Sequence, residues 1–146
     1  MSTRSYICLE QEDGTLKGIY CHNDGHPIHN GNILIKHYAS REKVEKLISL
    51  GDLSSLQKNI EPNPKLPHSF DYKERQKGVC IFYGRDGGEK DTEAKPVTPE
   101  RAQKNGVEYI YVFGLDDEWR YMGLNLPFPR WQKVRESVKR LNEVLR

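Results

Sequence analysis

The N-terminal segment reads SYICLEQEDGTLKGIYC (residues 5–21), and this stretch decides the fold class. Two short β-prone runs, residues 5–9 and residues 16–21, are separated by a polar turn at residues 12–15. The Asp-Gly pair in that turn strongly favours a hairpin, because both residues can adopt a positive φ. We therefore expect two antiparallel strands at the start of the chain.

Further strands are expected in the second half of the chain. Residues 114–117 separate two aromatic-rich runs, residues 107–113 and 118–122, and predict a second hairpin. The most apolar run, residues 78–83, has turn residues on both sides and predicts a strand in the middle of the sheet. Because both hairpins are local, we expect about five strands that pair mostly antiparallel.

Capping signals and apolar spacing predict the helices. Ser40 is a typical N-cap for a helix that ends before Gly51, and Thr98 followed by proline predicts a second, short helix. A final helix is expected to open at Pro129. Its apolar stripe, expected to pack on the sheet, comprises Trp131, Val134, Val138, Leu141 and Leu145. The predicted fold class is α+β, a single domain over residues 1–146 with helices on one face of the sheet.

Composition limits the classes of protein to consider. The chain has 146 residues, enough to bury one core without disulfides or metal. No apolar run approaches the roughly 20 residues that a membrane-spanning helix requires. The three cysteines follow no recurrent spacing, so we expect them to be reduced. These features predict a cytoplasmic protein without membrane contact, metal or cofactor.

The chemically densest stretch is residues 20–31, which holds three of the five histidines, one cysteine and one aspartate. The spacing of these groups matches no recognised zinc motif. His22 and Asp24 are candidates for acid–base catalysis, and His68 joins them as a candidate if its loop folds towards them. A structural or partner-contacting turn is the preferred interpretation, because Asn and Asp side chains often bond their own backbone in turns.

The C-terminal segment is the basic part of the chain. Residues 128–146 hold six basic and two acidic residues. Arg135, Lys139 and Arg140 are expected on the outer face of the final helix, where they favour contact with an anion or a nucleic acid. A solvated helix face is the preferred interpretation, since six cations are common in a terminal helix, and contact with an anion or a nucleic acid is the alternative.

A glycine-containing loop, residues 83–90, follows the most apolar run. Backbone amides in such loops form nests for phosphate, and Arg85 is placed to pair with an anion. The acidic residues of the loop oppose an anion, so a polar connection is the preferred interpretation and an anion site the alternative. The expected ligand-binding residues are Arg85, Tyr20, His22 and Asp24, together with the three cations of the final helix.

A longer pattern of motifs runs from residue 18 to about residue 93. It comprises GIYCH (18–22), DGHP (24–27), GDLSSL (51–56), PHSF (67–70) and FYGRD (82–86). With these motifs the chain resembles a family of small uncharacterised proteins of bacteriophages and prophage-bearing bacteria. The resemblance implies an accessory role. Many accessory phage proteins inhibit or sequester components of host defence. The resemblance implies no particular activity.

Two functions from different classes are left open. The preferred one is an accessory binding protein that contacts a host protein, a nucleic acid or an anionic nucleotide, because no catalytic constellation is recognisable. The alternative is a small hydrolase or nuclease, metal-dependent or built on His22, Asp24 and His68. A homodimer is also open, because an exposed strand edge can pair with a second copy of the chain.

Overall fold

The computed structural model describes residues 2–144, which form one β-sheet and four α-helices. The strands are β1 Ser5–Glu10, β2 Leu16–Cys21, β3 Leu53–Ser55, β4 Ile81–Phe82, β5 Lys95–Val97, β6 Tyr109–Phe113, β7 Trp119–Gly123 and β8 Gln132–Lys133. The helices are α1 Asn32–His37, α2 Arg41–Ser49, α3 Pro99–Lys104 and α4 Val134–Val144. A π-helical turn, Pro27–Gly31, leads into α1, and a 3-10 turn covers Tyr72–Glu74. The predicted α+β class is confirmed, with eight strands in the described residues where about five were expected.

The sheet joins the two predicted hairpins side by side. Its order is β4-β3-β2-β1-β6-β7-β8, and β5 pairs with the half of β2 that β3 leaves uncovered. β1 and β6 run parallel, from the pair Ser5 and Tyr109 to the pair Leu9 and Phe113. Five of the seven pairings are antiparallel, which confirms a mostly antiparallel sheet.

Local signals produce the first hairpin and the helix starts as expected. Gly14 has a φ of 85° in the turn between β1 and β2. Asp13 Oδ1 accepts hydrogen bonds there from the backbone N–H and the hydroxyl of Thr15, at 3.0 and 2.6 Å. The side chains of Ser40 and Thr98 cap α2 and α3 by accepting backbone N–H groups of their first turns.

Successive side chains along the strands point to opposite faces of the sheet, and the buried apolar residues of each face form a separate core. The larger core includes Ile7 and Tyr111 and is covered by α1, α2 and α4. The smaller core lies on the opposite face, where Cys8 and Val112 pack with Ala102 of α3. The prediction that helices cover one face only is therefore wrong, because the short α3 packs on the second face.

The most apolar run, residues 78–83, does not lie in the middle of the sheet. β4 is the terminal strand of the sheet, and it pairs with β3 alone. Phe82 is nevertheless fully buried, with the guanidinium of Arg85 4.6 Å from its ring centroid. Loops and side chains around the edge of the sheet bury this run. Its apolar composition therefore indicates burial but not a central position in the sheet.

The start of the last helix also differs from the prediction. Gln132–Lys133 first pairs with β7, so α4 begins at Val134 instead of Pro129. Val134 and Val138 are buried as the stripe predicts, but Trp131 is 40% exposed. Leu145 lies outside the described residues. None of the helices within residues 2–144 has the length and apolarity that a bilayer crossing requires.

Candidate ligand-binding site

The histidine-rich segment, residues 20–31, is organised around the buried side chain of Asn30. Asn30 Nδ2 donates to the backbone oxygen of Asn23 at 3.2 Å and to Cys21 Sγ at 3.4 Å. The backbone N–H of Asn30 donates to the backbone oxygen of Asp24 at 3.1 Å. These bonds close the segment on itself, as the structural-turn interpretation expects.

Gly25 docks the same segment against the sheet. Its N–H donates to the backbone oxygen of Thr3 at 2.8 Å, and its oxygen accepts a 2.6 Å hydrogen bond from the buried Tyr111 hydroxyl. A Cβ on Gly25 would lie 2.8 Å from the Thr3 oxygen, so a larger residue would displace the backbone.

His22 and Asp24 do not form an acid–base pair. His22 Nδ1 shares a 2.8 Å hydrogen bond with the hydroxyl of Tyr20. Asp24 is exposed and has a φ of 58°, a left-handed conformation that aspartate tolerates better than most residues. Within residues 2–144, no hydrogen bond joins the two side chains. Of the predicted residues in this segment, the structure therefore brings together only Tyr20 and His22.

His68 belongs to a different cluster. Its Nδ1 accepts the backbone N–H of Gln76 at 3.1 Å, and its Nε2 lies 3.7 Å from Asp86 Oδ2. Both the His68 and Asp86 side chains are nearly buried, at 4% and 5% exposure. Across the described part of the chain, no hydrogen bond or ion pair links His68 to His22 or Asp24.

The Arg85 side chain binds acceptors of the protein itself at the β4 edge of the sheet. Its guanidinium donates to the backbone oxygens of Ile60 and Cys80, at 2.7 and 3.0 Å, and to Asp86 Oδ1 at 3.0 Å. It also lies over the Phe82 ring. These internal acceptors engage most of the N–H groups that a phosphate would need.

The cysteine thiols in and near this segment are buried. Burial raises the pKa of the Cys21 thiol to about 12 and also raises the pKa of Cys80. A thiol in such surroundings is protonated at neutral pH and is a poor nucleophile. Within residues 2–144, no three side chains of His, Cys, Asp or Glu are grouped so as to hold a metal ion.

The cations of α4 divide between two sides of the helix. Arg135 and Lys139 line a groove of about 440 Å³ against α1, where Lys36 also lies. Arg140 points to the other side, and its Nη2 donates to Gln132 Oε1 at 3.3 Å and to Ser137 Oγ at 3.1 Å. The three cations predicted as one surface therefore belong to two.

A groove of about 610 Å³ lies on the second face of the sheet, which we call the apolar groove. Leu16 and Val112, on the face of the smaller core, line it together with the start of α3 and Trp131. It is lined by Glu10, Gly14, Thr15, Leu16, Pro96, Val97, Thr98, Pro99, Val112, Gly114, Arg120 and Trp131. Most of this lining is apolar, and Glu10 and Arg120 are its charged side chains.

A second cavity of about 350 Å³, which we call the cation pocket, shares Arg120 and Trp131 with the apolar groove. It is lined by Arg120, Arg130, Trp131, Gln132, Lys133, Glu136, Ser137 and Arg140. Arg120 is already paired with Asp116 through two bonds of 3.0 and 2.7 Å, which hold the Asp116 pKa at about 2. Within residues 2–144, no ion pair engages the other three cations of the pocket.

The apolar spacing predicts Trp131 in the buried stripe, and no sequence motif marks Glu10 or Arg120. Strand alternation carries the missing signal, because in β7 it places Arg120 on the face opposite to the buried Trp119 and Tyr121. Which cations gather around Trp131 depends on β8, a two-residue strand without a clear sequence pattern.

No family model matches the chain, and no curated protein or solved structure matches it either. None of these comparisons bears on the expected phage family, which stays a prediction. The geometry of the apolar groove and the cation pocket therefore carries the functional proposal.

Proposed function

We propose that this protein is a non-enzymatic binding protein for an anionic nucleotide. The observation that carries the proposal is the meeting of the apolar groove and the cation pocket at Trp131 and Arg120. A nucleotide has an aromatic base at one end and phosphates at the other. The apolar groove suits the base, and the adjoining cation pocket suits the phosphates.

The size and lining of the site support this ligand class. A volume of about 610 Å³ falls among the cavities that hold drug-sized molecules, typically about 300–1,000 Å³. An exposed tryptophan is a stacking surface for a base, and stacking of this kind contributes about 1–3 kcal/mol per base. Arg130, Lys133 and Arg140 supply cations for phosphate oxygens, against one carboxylate, Glu136.

The phage context implied by the sequence resemblance fits a protein that sequesters a nucleotide of the host, including one used in defence. A groove of this volume favours a small ligand over a long nucleic acid or a protein surface. The alternative hydrolase or nuclease gains no support from the geometry, because within residues 2–144 no hydrogen bond or ion pair joins His22, Asp24 and His68 to one another.

The proposal is tested by isothermal titration calorimetry with the four common ribonucleoside triphosphates, supported by tryptophan fluorescence. The double variant R130Q/K133Q removes two cations of the cation pocket and should weaken binding at least about tenfold, since each charged hydrogen bond contributes about 1.5–3 kcal/mol. Rising salt should weaken wild-type binding, because the phosphates are held by charge.

The matched control is R135Q/K139Q, which makes the same change in charge on the other side of α4. It should bind as the wild type does, because these two side chains line the groove against α1. Equal weakening in both variants would show attraction by net charge alone, and binding of none of the four nucleotides would overturn the proposal. Tight binding of oligonucleotides with none of mononucleotides would replace the ligand by nucleic acid.

A further inference from the structure

Glu10 places a carboxylate inside a groove that is otherwise largely apolar. It is the last residue of β1, where Ile7 and Leu9 face the larger core and Cys8 faces the smaller one. The alternation of the strand puts the Glu10 side chain on the face of Cys8, which is the face of the apolar groove. Its Oε1 accepts the backbone N–H of Leu115 at 2.9 Å, which fixes the carboxylate in place.

The guanidinium of Arg120, which also lines the groove, forms no ion pair with the Glu10 carboxylate. Arg120 is held by both oxygens of Asp116. No ion pair within residues 2–144 involves Glu10. A carboxylate offers about four lone-pair sites, so Glu10 retains capacity for further donors after the bond from Leu115. A ligand in the groove therefore meets a fixed acceptor.

We propose that the site selects guanine nucleotides and that Glu10 is the residue that recognises the base; this inference rests on the nucleotide-binding function proposed above. The guanine ring carries two N–H donors side by side, at N1 and at the 2-amino group, which match the two oxygens of a carboxylate. Adenine and cytosine each carry an acceptor nitrogen beside the amino group, which the carboxylate repels. Uracil carries one N–H between two carbonyls.

Charge also sets the direction in which the nucleotide lies. Glu10 lines the apolar groove and is absent from the lining of the cation pocket. Its negative charge repels phosphates from the groove, while Arg130, Lys133 and Arg140 attract them to the pocket. The base then lies between Glu10 and Trp131, and the phosphates lie beyond Trp131.

The test compares GTP, ITP and ATP, which have equal charge, by calorimetry with wild-type protein and with Glu10→Gln. We expect wild-type protein to bind GTP about tenfold or more tightly than ATP, with ITP between them because it lacks the 2-amino group. Glu10→Gln should weaken GTP about tenfold and leave ATP unchanged or tighter. The glutamine oxygen can still accept the Leu115 N–H, so the fold is retained, which thermal unfolding verifies.

The matched control is Glu12→Gln, the same change two residues away in the exposed hairpin turn, which should leave the three affinities unchanged. Binding of GTP, ITP and ATP with equal affinity overturns the inference and leaves the proposed function intact, as does GTP binding that Glu10→Gln does not alter. Absence of binding by all three nucleotides overturns the proposed function itself.

Discussion

At the scale of single residues, Asp52 carries an electrostatic penalty that a backbone bond offsets only in part. Burial is the largest influence on this carboxyl and raises its pKa. The 2.9 Å hydrogen bond that Asp52 Oδ1 accepts from the Tyr20 N–H acts in the opposite direction, as does the charge of Lys95. Because the net shift is upward, the folded protein holds the proton more tightly than the unfolded chain does.

Asp52→Asn should therefore become more stable relative to wild type as the pH rises. Wild-type stability falls between the unfolded pKa, near 3.8, and the raised folded pKa, because the unfolded chain loses its proton first. Asparagine keeps the oxygen that accepts the Tyr20 N–H and has no charge to bury. Urea unfolding of both proteins from pH 3.5 to pH 7 measures the difference.

Glu12→Gln, which removes a carboxylate charge at an exposed position, is the matched control. If Asp52→Asn instead loses stability relative to wild type as the pH rises, the ionised carboxylate is stabilising and the assignment of burial as the dominant influence is wrong.

At the scale of elements, Gly18 allows three strands to meet. It pairs with Cys8 of β1 on one side of β2 and with Lys95 of β5 on the other. A Cβ at this position would overlap Cys8 Sγ and would lie 3.1 Å from Val97 Cγ2. β2 can therefore carry β5 and the smaller core only because this residue has no side chain.

Gly18→Ala should destabilise the protein by about 1–3 kcal/mol, the usual cost of overpacking a filled core. Cys8→Ala removes the sulfur that the new methyl group would overlap, so the double variant should be more stable than the sum of the two single changes predicts. Urea unfolding of the four proteins measures this coupling. Additive losses would show that the cost arises from the backbone and not from the Cys8 contact.

At the scale of the whole molecule, the parallel pairing of β1 with β6 holds the sheet together. It connects residues about a hundred positions apart, such as Ser5 and Tyr109. The larger core likewise joins Ile7 and Ile19 to Tyr111 and Phe113. The N-terminal hairpin thus depends on the second half of the chain for its central neighbour.

A fragment of residues 1–93 should not fold, although the motifs between residues 18 and 86 all lie within it. It lacks β6 and α4, so one edge of β1 and the apolar side chains beneath α4 would be exposed to water. Far-UV circular dichroism and urea titration compare the fragment with the full chain. A cooperative unfolding transition of the fragment would contradict the prediction.

Local chemistry was sufficient for several features of this protein. The turn at Gly14, the cap at Ser40 and the second hairpin all follow from residues close in sequence, and the structure confirms each. The α+β class follows from these elements. Each depends on interactions within a few residues, which is why the sequence by itself determined them.

Only the tertiary structure decided the rest, because long-range pairing and side-chain direction are not local properties. It put β4 at the edge of the sheet, turned Trp131 out of the predicted stripe, and placed Arg140 apart from Arg135 and Lys139. It also joined Glu10 and Trp131 across the second face. The candidate site arises where strands distant in sequence present alternate side chains to the same face, and no short motif records that arrangement.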